Sequence, residues 1–468
     1  MIDGQSLAEP GSFRDRDSRV FIADGAVYRA LSARGLEDFE ALQASKLFTR
    51  AANDGKLVRT ELHRSTQLVP EGLLPEPAAA VLEHERIPMI SYPYEWTFGM
   101  LKDAALLHLE LIDAAMAEGL TMKDASPYNV QFNGAKPTFA DIGSFEPLRQ
   151  DEPWIGYRQF CTMFLYPLML QAYRDVDFQL FLKGSLEGIT PPQAASLLPK
   201  RGDGILTHVR LHARLERKQD TASVRETRKE MSAAGFKSEI VRANLSKMHK
   251  LVSGLKWETP KTAWTDYGDN NRGYDVADRN AKEAFVRTAA QRVQPRVTWD
   301  LGTNDGVFAR IAAEFSQHVV ASDFDHATVE HLYHELKAEG NTQILPLVID
   351  VCDPSPARGW RNAERQTLED RGRPNLTLSL ALLHHLSISR NVPVRDLIAW
   401  LADLGGTHVI EFPLREDPMV QILLAAKRDE SHPDWDLEHF EGALAERFEI
   451  HAREALGTRV LFEAQSKG

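Results

Sequence analysis

The stretch "VTWDLGTNDGVFARI", residues 297–311, joins an apolar run to a loop of small and polar residues and then to a helix-prone segment. Asp300 lies where the apolar run ends, and Gly302, Asn304 and Gly306 follow it in the loop. Glycine allows a tight turn in which the backbone approaches a ligand with no Cβ atom in the way. The first amide groups of the next helix then point at that ligand, so the stretch predicts a binding loop between a strand and a helix.

Apolar runs that end in polar residues recur from about residue 295 onward, and helix-prone segments separate most of them. This alternation predicts a doubly wound, mostly parallel sheet, which binds its ligand beyond the carboxyl ends of the strands. The run "VVASDFD" places Asp323 at the end of the second strand, where a carboxylate can accept hydrogen bonds from both ribose hydroxyls of an adenosine. The run "LPLVIDV" places Asp350 at the end of the third strand, where an adenine amino group can donate to it.

A dinucleotide-binding fold is the competing interpretation, because it also has a glycine-rich first loop and an acid after the second strand. Three features favour a site for S-adenosylmethionine: the acid before the first glycine, the position of the domain late in the chain, and the endings "ALLHHL" and "VIEFP" of the fourth and fifth runs. On these motifs, residues 261–468 resemble a bacterial class I S-adenosylmethionine-dependent methyltransferase, which implies an α/β Rossmann-like domain.

The resemblance also implies roles for individual residues. The cofactor-binding residues that it implies are Asp300, Gly302, Asn304, Gly306, Asp323 and Asp350. The family often has glycine at the position of Asn304, and asparagine tolerates a left-handed backbone better than most residues, so the loop can keep its shape. The upstream stretch "WTDYGDNNRGYDVADRNAKEAFV" resembles the lead-in of some relatives, which makes Tyr267 and Lys282 candidates for the methionine end of the cofactor.

Methyl transfer from an activated sulfonium requires alignment of the acceptor and, for an oxygen acceptor, removal of a proton. His384 and His385 follow the fourth run, and an imidazole that titrates near neutrality suits a general base. The alternative is that one of them packs under the loop while the other caps the next helix. Glu411 ends the fifth run, where it would orient the acceptor or a histidine, with a helix cap or a salt bridge as the alternative.

A second stretch, "LTMKDASPYNVQFNGAKPTFADIGSFE" at residues 120–146, carries a different chemistry. Kinases use an Asp that accepts the substrate hydroxyl proton, and an Asn and a second Asp that hold Mg²⁺ against the phosphates. Asp124, Asn129 and Asp141 have this order. Residues 18–200, in which β-prone segments precede helical ones, resemble the protein-kinase-like superfamily, closer to small-molecule kinases than to protein kinases. The resemblance implies an α+β domain with a nucleotide and magnesium site.

The sequence features with which kinases bind the phosphates of the nucleotide are mostly absent from residues 18–200. Asp24-Gly25 predicts a hairpin, but no glycine-rich phosphate loop surrounds it. Arg29 stands where the kinase lysine is expected and would pair with Glu37 or Glu40, although arginine and lysine are not interchangeable in a tight phosphate site. Three interpretations therefore stay open: an active kinase that uses Mg-ATP, a domain that binds nucleotide or substrate without transfer, and a structural resemblance without nucleotide.

The chain of 468 residues is long enough for two or three domains, with 43% apolar and 26% charged residues. Its net charge of −12 argues against general nucleic-acid binding, and its two cysteines fit a reducing cytoplasm. The most apolar run, residues 160–173, is too short to span a bilayer and predicts a buried helix. We divide the chain into a tail and three parts: 1–17, a kinase-like domain at 18–200, a helical connector at 201–260 and a methyltransferase domain at 261–468.

These observations predict a cytoplasmic methyltransferase with a kinase-like accessory domain, which O-methylates a small molecule or a glycan precursor. One alternative is a bifunctional small-molecule kinase and methyltransferase. A second is a non-catalytic scaffold that senses adenosine ligands. The sequence names neither the acceptor nor the oligomeric state.

Overall fold

The computed structural model describes residues 7–149, 154–199, 209, 238–262, 276–428 and 432–467. These residues form two compact units. The N-terminal unit comprises those within Met1–Phe132, Pro137–Glu258 and Ala357–Arg365. The C-terminal unit comprises those within Asn133–Lys136, Thr259–Pro356 and Gln366–Gly468.

A five-stranded antiparallel sheet opens the N-terminal unit. Its strands are β1 (Leu7–Ala8), β2 (Ser18–Ala23), β3 (Ala26–Leu31), β4 (Thr60–His63) and β5 (Ala80–His84). They pair in the order β1-β2-β3-β5-β4. The hairpin predicted at Asp24-Gly25 joins β2 to β3, and both turn residues have positive φ, 50° and 79°, as a two-residue hairpin turn requires.

Helices make up most of the rest of this unit. They are α1 (Ala33–Gln43), α2 (Lys46–Asn53), α3 (Phe98–Ala117), α4 (Tyr157–Phe160), α5 (Tyr166–Arg174), α6 (Gln179–Gly184), α7 (Pro191–Leu197) and α8 (Ser238–Gly254). The side-chain oxygens of Ser32, Ser45 and Thr97 accept backbone hydrogen bonds at the starts of α1, α2 and α3, which explains why these helices begin there.

The apolar run at residues 160–173 forms the buried helix that its composition predicts. A π-helical turn, Cys161–Leu165, joins α4 to α5, and every side chain of that turn is buried. Across the described ranges, the helices include none with the length and hydropathy that crossing a bilayer demands.

Two small strand pairs carry the kinase-like motif. β6 (Leu120–Met122) pairs with β9 (Phe145–Pro147), and β7 (Val130–Asn133) pairs with β8 (Lys136–Phe139). Asp124 therefore lies in the connection between β6 and β7, and Asp141 lies in the connection between β8 and β9. Strand pairing thus brings together two carboxylates that are 17 positions apart in the sequence (141 − 124).

Helix α8 accounts for most of the described part of the predicted connector at 201–260. Its apolar side chains Val241, Leu245, Met248 and Val252 recur at helical spacing and are buried. On its polar side, the Arg242 guanidinium makes two hydrogen bonds to the Asp113 carboxylate on α3, at 2.8 and 3.2 Å. This amphipathic pattern fixes α8 in the N-terminal unit.

The C-terminal unit is a Rossmann-like α/β domain built on a seven-stranded sheet. Its strands are β10 (Val297–Leu301), β11 (His318–Asp323), β12 (Ile344–Val348), β13 (Leu376–Ser379), β14 (Thr407–Pro413), β15 (Phe448–Leu456) and β16 (Arg459–Ser466). The sheet order is β12-β11-β10-β13-β14-β16-β15. The first five strands in this order are parallel, and β16 runs antiparallel to both β14 and β15.

The helices of this unit separate most of its strands, as the doubly wound pattern predicts, although no α-helix lies within the described residues between β12 and β13. They are α9 (Val276–Val293), α10 (Val307–Ala313), α11 (His326–Ala338), α12 (Val394–Leu404), α13 (Pro418–Ala425) and α14 (Leu437–Arg447). Every residue of β10, β12, β13 and β14 is buried, which explains why these strands appear as continuous apolar runs. The antiparallel hairpin of β15 and β16 was not predicted.

Candidate functional site

The loop after β10 has the backbone that its sequence predicts. Gly302, Asn304 and Gly306 have φ of 74°, 50° and 78°, so the left-handed conformation expected of Asn304 is confirmed. The amides of Gly302 and Thr303 donate to the Ser322 carbonyl at 2.8 and 2.9 Å. The loop is therefore fixed to the end of the neighbouring strand β11.

Gly306 is required for a steric reason as well as for its φ. A Cβ atom at this position would lie 2.7 Å from Leu332 Cδ1 on α11. Any larger residue would have to displace the Leu332 side chain and would also have to adopt the φ of 78°. The close approach of loop and helix therefore depends on glycine.

Asp323 connects the second strand end to the loop. Its carboxylate accepts hydrogen bonds from the Asn304 amide at 3.1 Å and from the Asp325 amide at 3.0 Å. Burial raises the pKa of Asp323 to about 6, against an ordinary value of 3.8. The side chain is 8% exposed, so it lies at the edge of the packed interior, next to the loop.

Asp300 is fully enclosed at the end of β10. Its carboxylate accepts a hydrogen bond from the Thr303 hydroxyl at 2.6 Å, which closes the turn of the loop from below. Burial raises the pKa of Asp300 to about 7, and the negative charge of Asp323 adds to the effect. Asp300 therefore stabilises the conformation of the loop from the buried side.

Asp350 follows β12, as expected, but its carboxylate already has partners. It accepts hydrogen bonds from the Arg390 guanidinium at 2.6 Å and from the Cys352 amide at 2.9 Å. An adenine bound beside Asp350 would share this carboxylate with an arginine. The sequence pattern gave no sign of Arg390, because the two residues are 40 positions apart.

Lys282 and Glu411 are joined to each other rather than open to a ligand. The Lys282 ammonium group lies 2.5 Å from Glu411 Oε2, and it also lies over the Phe308 ring. Glu411 is 0% exposed and accepts two further hydrogen bonds, from the Ala381 amide at 2.9 Å and from Arg459 at 2.8 Å. The predicted contact of Glu411 with the acceptor is thus wrong, because burial and three donors occupy the carboxylate. The salt-bridge alternative is the correct one.

His384 and His385 lie side by side after β13, with ring centroids 4.1 Å apart. His384 is 0% exposed, and neither of its ring nitrogens has a hydrogen-bond partner among the described residues. Burial lowers the pKa of His384 well below its ordinary value, and burial with Arg459 lowers that of His385 to about 4. The expected titration near neutrality is therefore wrong, because desolvation disfavours both imidazolium ions.

Arg459 and Asp417 form a buried pair that the sequence did not indicate. Arg459 Nε donates to Asp417 Oδ2 at 2.7 Å, and the Arg459 side chain is 1% exposed. Asp417 also caps the start of α13 by accepting from the Met419 amide. Arg459 begins β16, 42 positions after Asp417, so no local pattern could identify the pair. Tyr267, the remaining cofactor candidate, lies outside the described residues.

In the N-terminal unit, the kinase-like motif residues do converge. The Asn129 amide group donates to Asp124 Oδ2 at 3.1 Å and to the Ser144 hydroxyl at 3.3 Å. Ser144 in turn donates to Asp141 Oδ2 at 2.5 Å. Burial, followed by the charge of Asp141, raises the pKa of Asp124. Ser144, which links the three motif residues, was missed because serine is also common in turns.

Arg29 pairs with Asp141 and not with the predicted glutamates. Its guanidinium lies 2.8 Å from Asp141 Oδ1 and donates to the Ser18 hydroxyl at 3.0 Å. Glu40 instead pairs with Arg64, so the expected pairing of Arg29 with Glu37 or Glu40 is wrong. Among the described residues, no group of three or more His, Cys, Asp or Glu side chains has the arrangement of a metal site.

Comparison with known proteins gives one relative over almost the full length. The chain is 32% identical over 446 residues to the nodulation protein NoeA of Rhizobium meliloti (strain 1021), which covers 94% of this chain and 92% of that protein. The chain belongs to the NoeA family. No family model matches the sequence.

Solved structures resemble parts of this NoeA-family chain. The N-methyltransferase NodS from Bradyrhizobium japonicum WM9, in complex with S-adenosylhomocysteine, is 12% identical and covers 42% of this chain and 90% of its own, with a TM-score of 0.31. The bifunctional kinase-methyltransferase WbdD is 15% identical and covers 47% of this chain and 46% of its own, with a TM-score of 0.30.

The raised pKa values of Asp300 and Asp323 predict that the C-terminal unit loses stability as pH rises. Both folded-state values, about 7 and about 6, lie above the ordinary 3.8, so this contribution is present below about pH 4 and is lost as pH rises through about 7. The thermal midpoint of the wild type should therefore fall between about pH 5 and pH 8. In Asp300→Asn, which has no charge to bury, this fall should be smaller than in the wild type by about 2 °C or more. Differential scanning calorimetry of both proteins at the two pH values measures the midpoints.

Asp403→Asn is the matched control, because Asp403 is an exposed acid on α12 of the same unit. It should leave the pH dependence of the midpoint unchanged. An equal fall in midpoint for wild type and Asp300→Asn would contradict the assignment of this titration to Asp300.

Proposed function

We propose that this chain is an S-adenosylmethionine-dependent methyltransferase whose cofactor lies on the loop after β10. The observation that carries the proposal is the hydrogen bond from the Asn304 amide to the Asp323 carboxylate. It joins the glycine-containing loop to an acid at the adjacent strand end, which is where an adenosyl ligand needs a close backbone and an acceptor for its ribose hydroxyls.

The sheet supports this cofactor over a dinucleotide. The classic dinucleotide-binding sheet adds a sixth strand in the order 3-2-1-4-5-6. Here the strand beside β14 is β16, which runs antiparallel and forms a hairpin with β15. The first five positions follow the shared order, and the departure at the sixth favours the methyltransferase interpretation.

The roles of individual residues follow from their contacts. Asp323 would accept the ribose hydroxyls, and Asp300 would hold the loop through Thr303. Asp350 would approach the adenine while it remains paired with Arg390. His385, which is only partly buried and follows β13, is the better of the two histidine candidates on the acceptor side. Its lowered pKa keeps it neutral at pH 7, as a proton acceptor must be, but makes it a weak base.

We place the acceptor among small molecules and glycan precursors, with oxygen as the attacking atom. The chain's net charge of −12 disfavours a polyanionic acceptor. The relationship to NoeA, a nodulation protein, makes a role in nodulation part of this proposal. We assign the activity to the cytoplasm and the methyltransferase domain to residues 261–468.

Calorimetric titration with S-adenosylhomocysteine tests the cofactor site. Asp323→Ala should lower the affinity about tenfold or more, because charged hydrogen bonds of about 1.5–3 kcal/mol are lost. Asp403→Ala, an exposed acid on α12 before β14, is the control and should bind like the wild type. Equal affinities for Asp323→Ala and wild type would show that the cofactor placement is wrong.

We propose further that residues 18–200 form a kinase-like domain that performs no phosphoryl transfer. The supporting observation is the Arg29–Asp141 ion pair, in which a guanidinium takes the carboxylate oxygen that a magnesium ion would need. Ser144 takes the other oxygen of Asp141. The strand order β1-β2-β3-β5-β4, with α1 directly after β3, supports the kinase-like assignment itself.

The connection between β1 and β2 also lacks the properties of a phosphate-binding loop. Its amides are used internally: Gly11 and Asp17 donate to the carboxylates of Glu9 and Asp15, and Ser12 donates to the Glu9 carbonyl. A phosphate loop needs free amides and positive charge. The three acids of this connection outnumber its two arginines, and one of these, Arg14, is bound to Glu364. We therefore do not favour the bifunctional kinase alternative.

The ion pair predicts the behaviour of the full chain toward Mg-ATP. Millimolar Mg-ATP should leave the thermal midpoint unchanged, because Arg29 and Ser144 occupy both carboxylate oxygens of Asp141. Arg29→Met should lower the midpoint, and adding Asp141→Asn should recover part of the loss, because the unpaired charge of the partly buried Asp141 is removed. Arg59→Met, whose pair with Glu85 is 3.9 Å long and has both side chains exposed, is the control with little expected effect. Stabilisation of the wild type by Mg-ATP would contradict the proposal.

A further inference from the structure

The residue that follows the end of β13 by two positions has a strained backbone. Ala381 has φ of 51°, a left-handed conformation that only glycine and, less often, asparagine or aspartate adopt without strain. β13 ends at Ser379, so Ala381 lies at the carboxyl edge of the sheet, where ligands bind in this fold. Such strain persists only where the surroundings enforce it, and it concentrates at functional sites.

The contact that enforces it is the hydrogen bond from the Ala381 amide to Glu411 Oε2, 2.9 Å long. Ser379 of β13 pairs with Ile410 of β14, which places Glu411 one position beyond the end of their ladder. The Glu411 carboxylate therefore contacts the backbone at the point where β13 ends and the strained turn begins. Glu411 is 0% exposed, so water does not compete for this bond.

A lone carboxylate could not remain charged in this position, because burial of an unpaired ion is too costly. Glu411 is matched by Lys282 at 2.5 Å and by Arg459 at 2.8 Å, and Arg459 is matched by Asp417 at 2.7 Å. The four charges sum to zero. Lys282, Glu411, Arg459 and Asp417, here called the charge network, come from α9, β14, β16 and the start of α13.

The turn held by the charge network reaches the cofactor loop. A Cβ atom on Gly302 would lie 3.4 Å from Leu382 Cδ1, so the side chain next to Ala381 packs directly on the first glycine of that loop. His384 and His385 follow Leu382 in the chain and take their places from the same turn. The conformation of Ala381 thus sets the position of Leu382 against the cofactor loop and the position at which the segment with His384 and His385 begins.

We propose that Glu411 is a positioning residue: the charge network uses its carboxylate to hold Ala381 in the left-handed turn, so that Leu382 packs against the cofactor loop and the histidines face the acceptor side. This inference rests on the proposed methyltransferase function for its purpose, but its physical part concerns only the turn. Glutamine at position 411 cannot reproduce the arrangement, because its single carbonyl oxygen cannot serve three donors.

Hydrogen–deuterium exchange on the full chain tests the turn without any ligand. In Glu411→Gln, a peptide covering residues 380–386 should exchange at least about tenfold faster than in wild type, while peptides of β10 and β11 keep their rates. Glu463→Gln is the matched control: Glu463 is a buried carboxylate of the same sheet, bound by Arg292 and without a hydrogen bond to Ala381. It should leave the 380–386 peptide unchanged. Unchanged exchange of this peptide in Glu411→Gln overturns the proposal.

Titration with S-adenosylhomocysteine tests the consequence for the cofactor loop. Glu411→Gln should bind it at least about fivefold more weakly than wild type. Ala381→Gly in the same background should recover part of that affinity, because glycine adopts the left-handed turn without enforcement. A purely structural role for Glu411 predicts no such rescue, and its absence overturns the proposal. A wild type that binds no S-adenosylhomocysteine would refute the proposed function, whereas the exchange experiment would still decide the role of Glu411.

If Glu411→Gln does not fold, two single variants at position 381 test whether the turn is strained. Ala381→Gly should raise the thermal midpoint of the full chain, because the strain is removed, and Ala381→Val should lower it by about 2 °C or more. Equal midpoints for these two variants would show that the turn is not strained and would overturn the proposal.

Discussion

Parallel, in-register pairing of β10 with β11 and β13 is the constraint on which the C-terminal unit depends. Leu301 pairs with Ser322 on one side and with Ser379 on the other, so three strands end together at one edge of the sheet. Every residue we assign to the cofactor lies at one of these ends or just after that of β12. The chemistry of the site is therefore a consequence of strand register, and the loop after β10 only completes it.

Burial sets the second condition. The central strands are closed to water on both faces, so each charge at their ends must find a partner inside the protein. The charge network meets this condition for Glu411 with two cations and a second acid. Asp300 meets it through Thr303 and through a pKa raised to about 7. Charges that satisfy one another in this way are not free to bind ligand, which removes Lys282 and Glu411 from direct contact with cofactor or acceptor.

The N-terminal unit follows the same logic with a different outcome. Its strands bring Asp124, Asn129 and Asp141 together, as a kinase requires, but the pairing of Asp141 with Arg29 satisfies the metal-binding carboxylate from within. The three motif residues thus lie together, while an internal ion pair occupies the carboxylate that the kinase interpretation assigns to the metal. The NoeA-family chain keeps the arrangement, and we propose that it has lost the transfer.

Local pattern predicted what depends on local physics. The glycine positions, the left-handed Asn304, the hairpin at Asp24-Gly25 and the parallel runs all follow from backbone preferences and burial, and all are present. The ion-pair partners of the buried acids could not be predicted. The position of an acid in the sequence does not show which of the many lysines and arginines will lie next to it in the fold. Arg459 for Glu411, and Arg390 for Asp350, are such partners.

We propose that the loop after β10 binds an adenosyl cofactor and not a dinucleotide. Parallel calorimetric titrations of the full chain with S-adenosylhomocysteine and with NAD⁺ test it most directly. We expect saturable binding of S-adenosylhomocysteine at one site per chain and no heat of binding with NAD⁺. Saturable binding of NAD⁺, or no binding of S-adenosylhomocysteine, would contradict it.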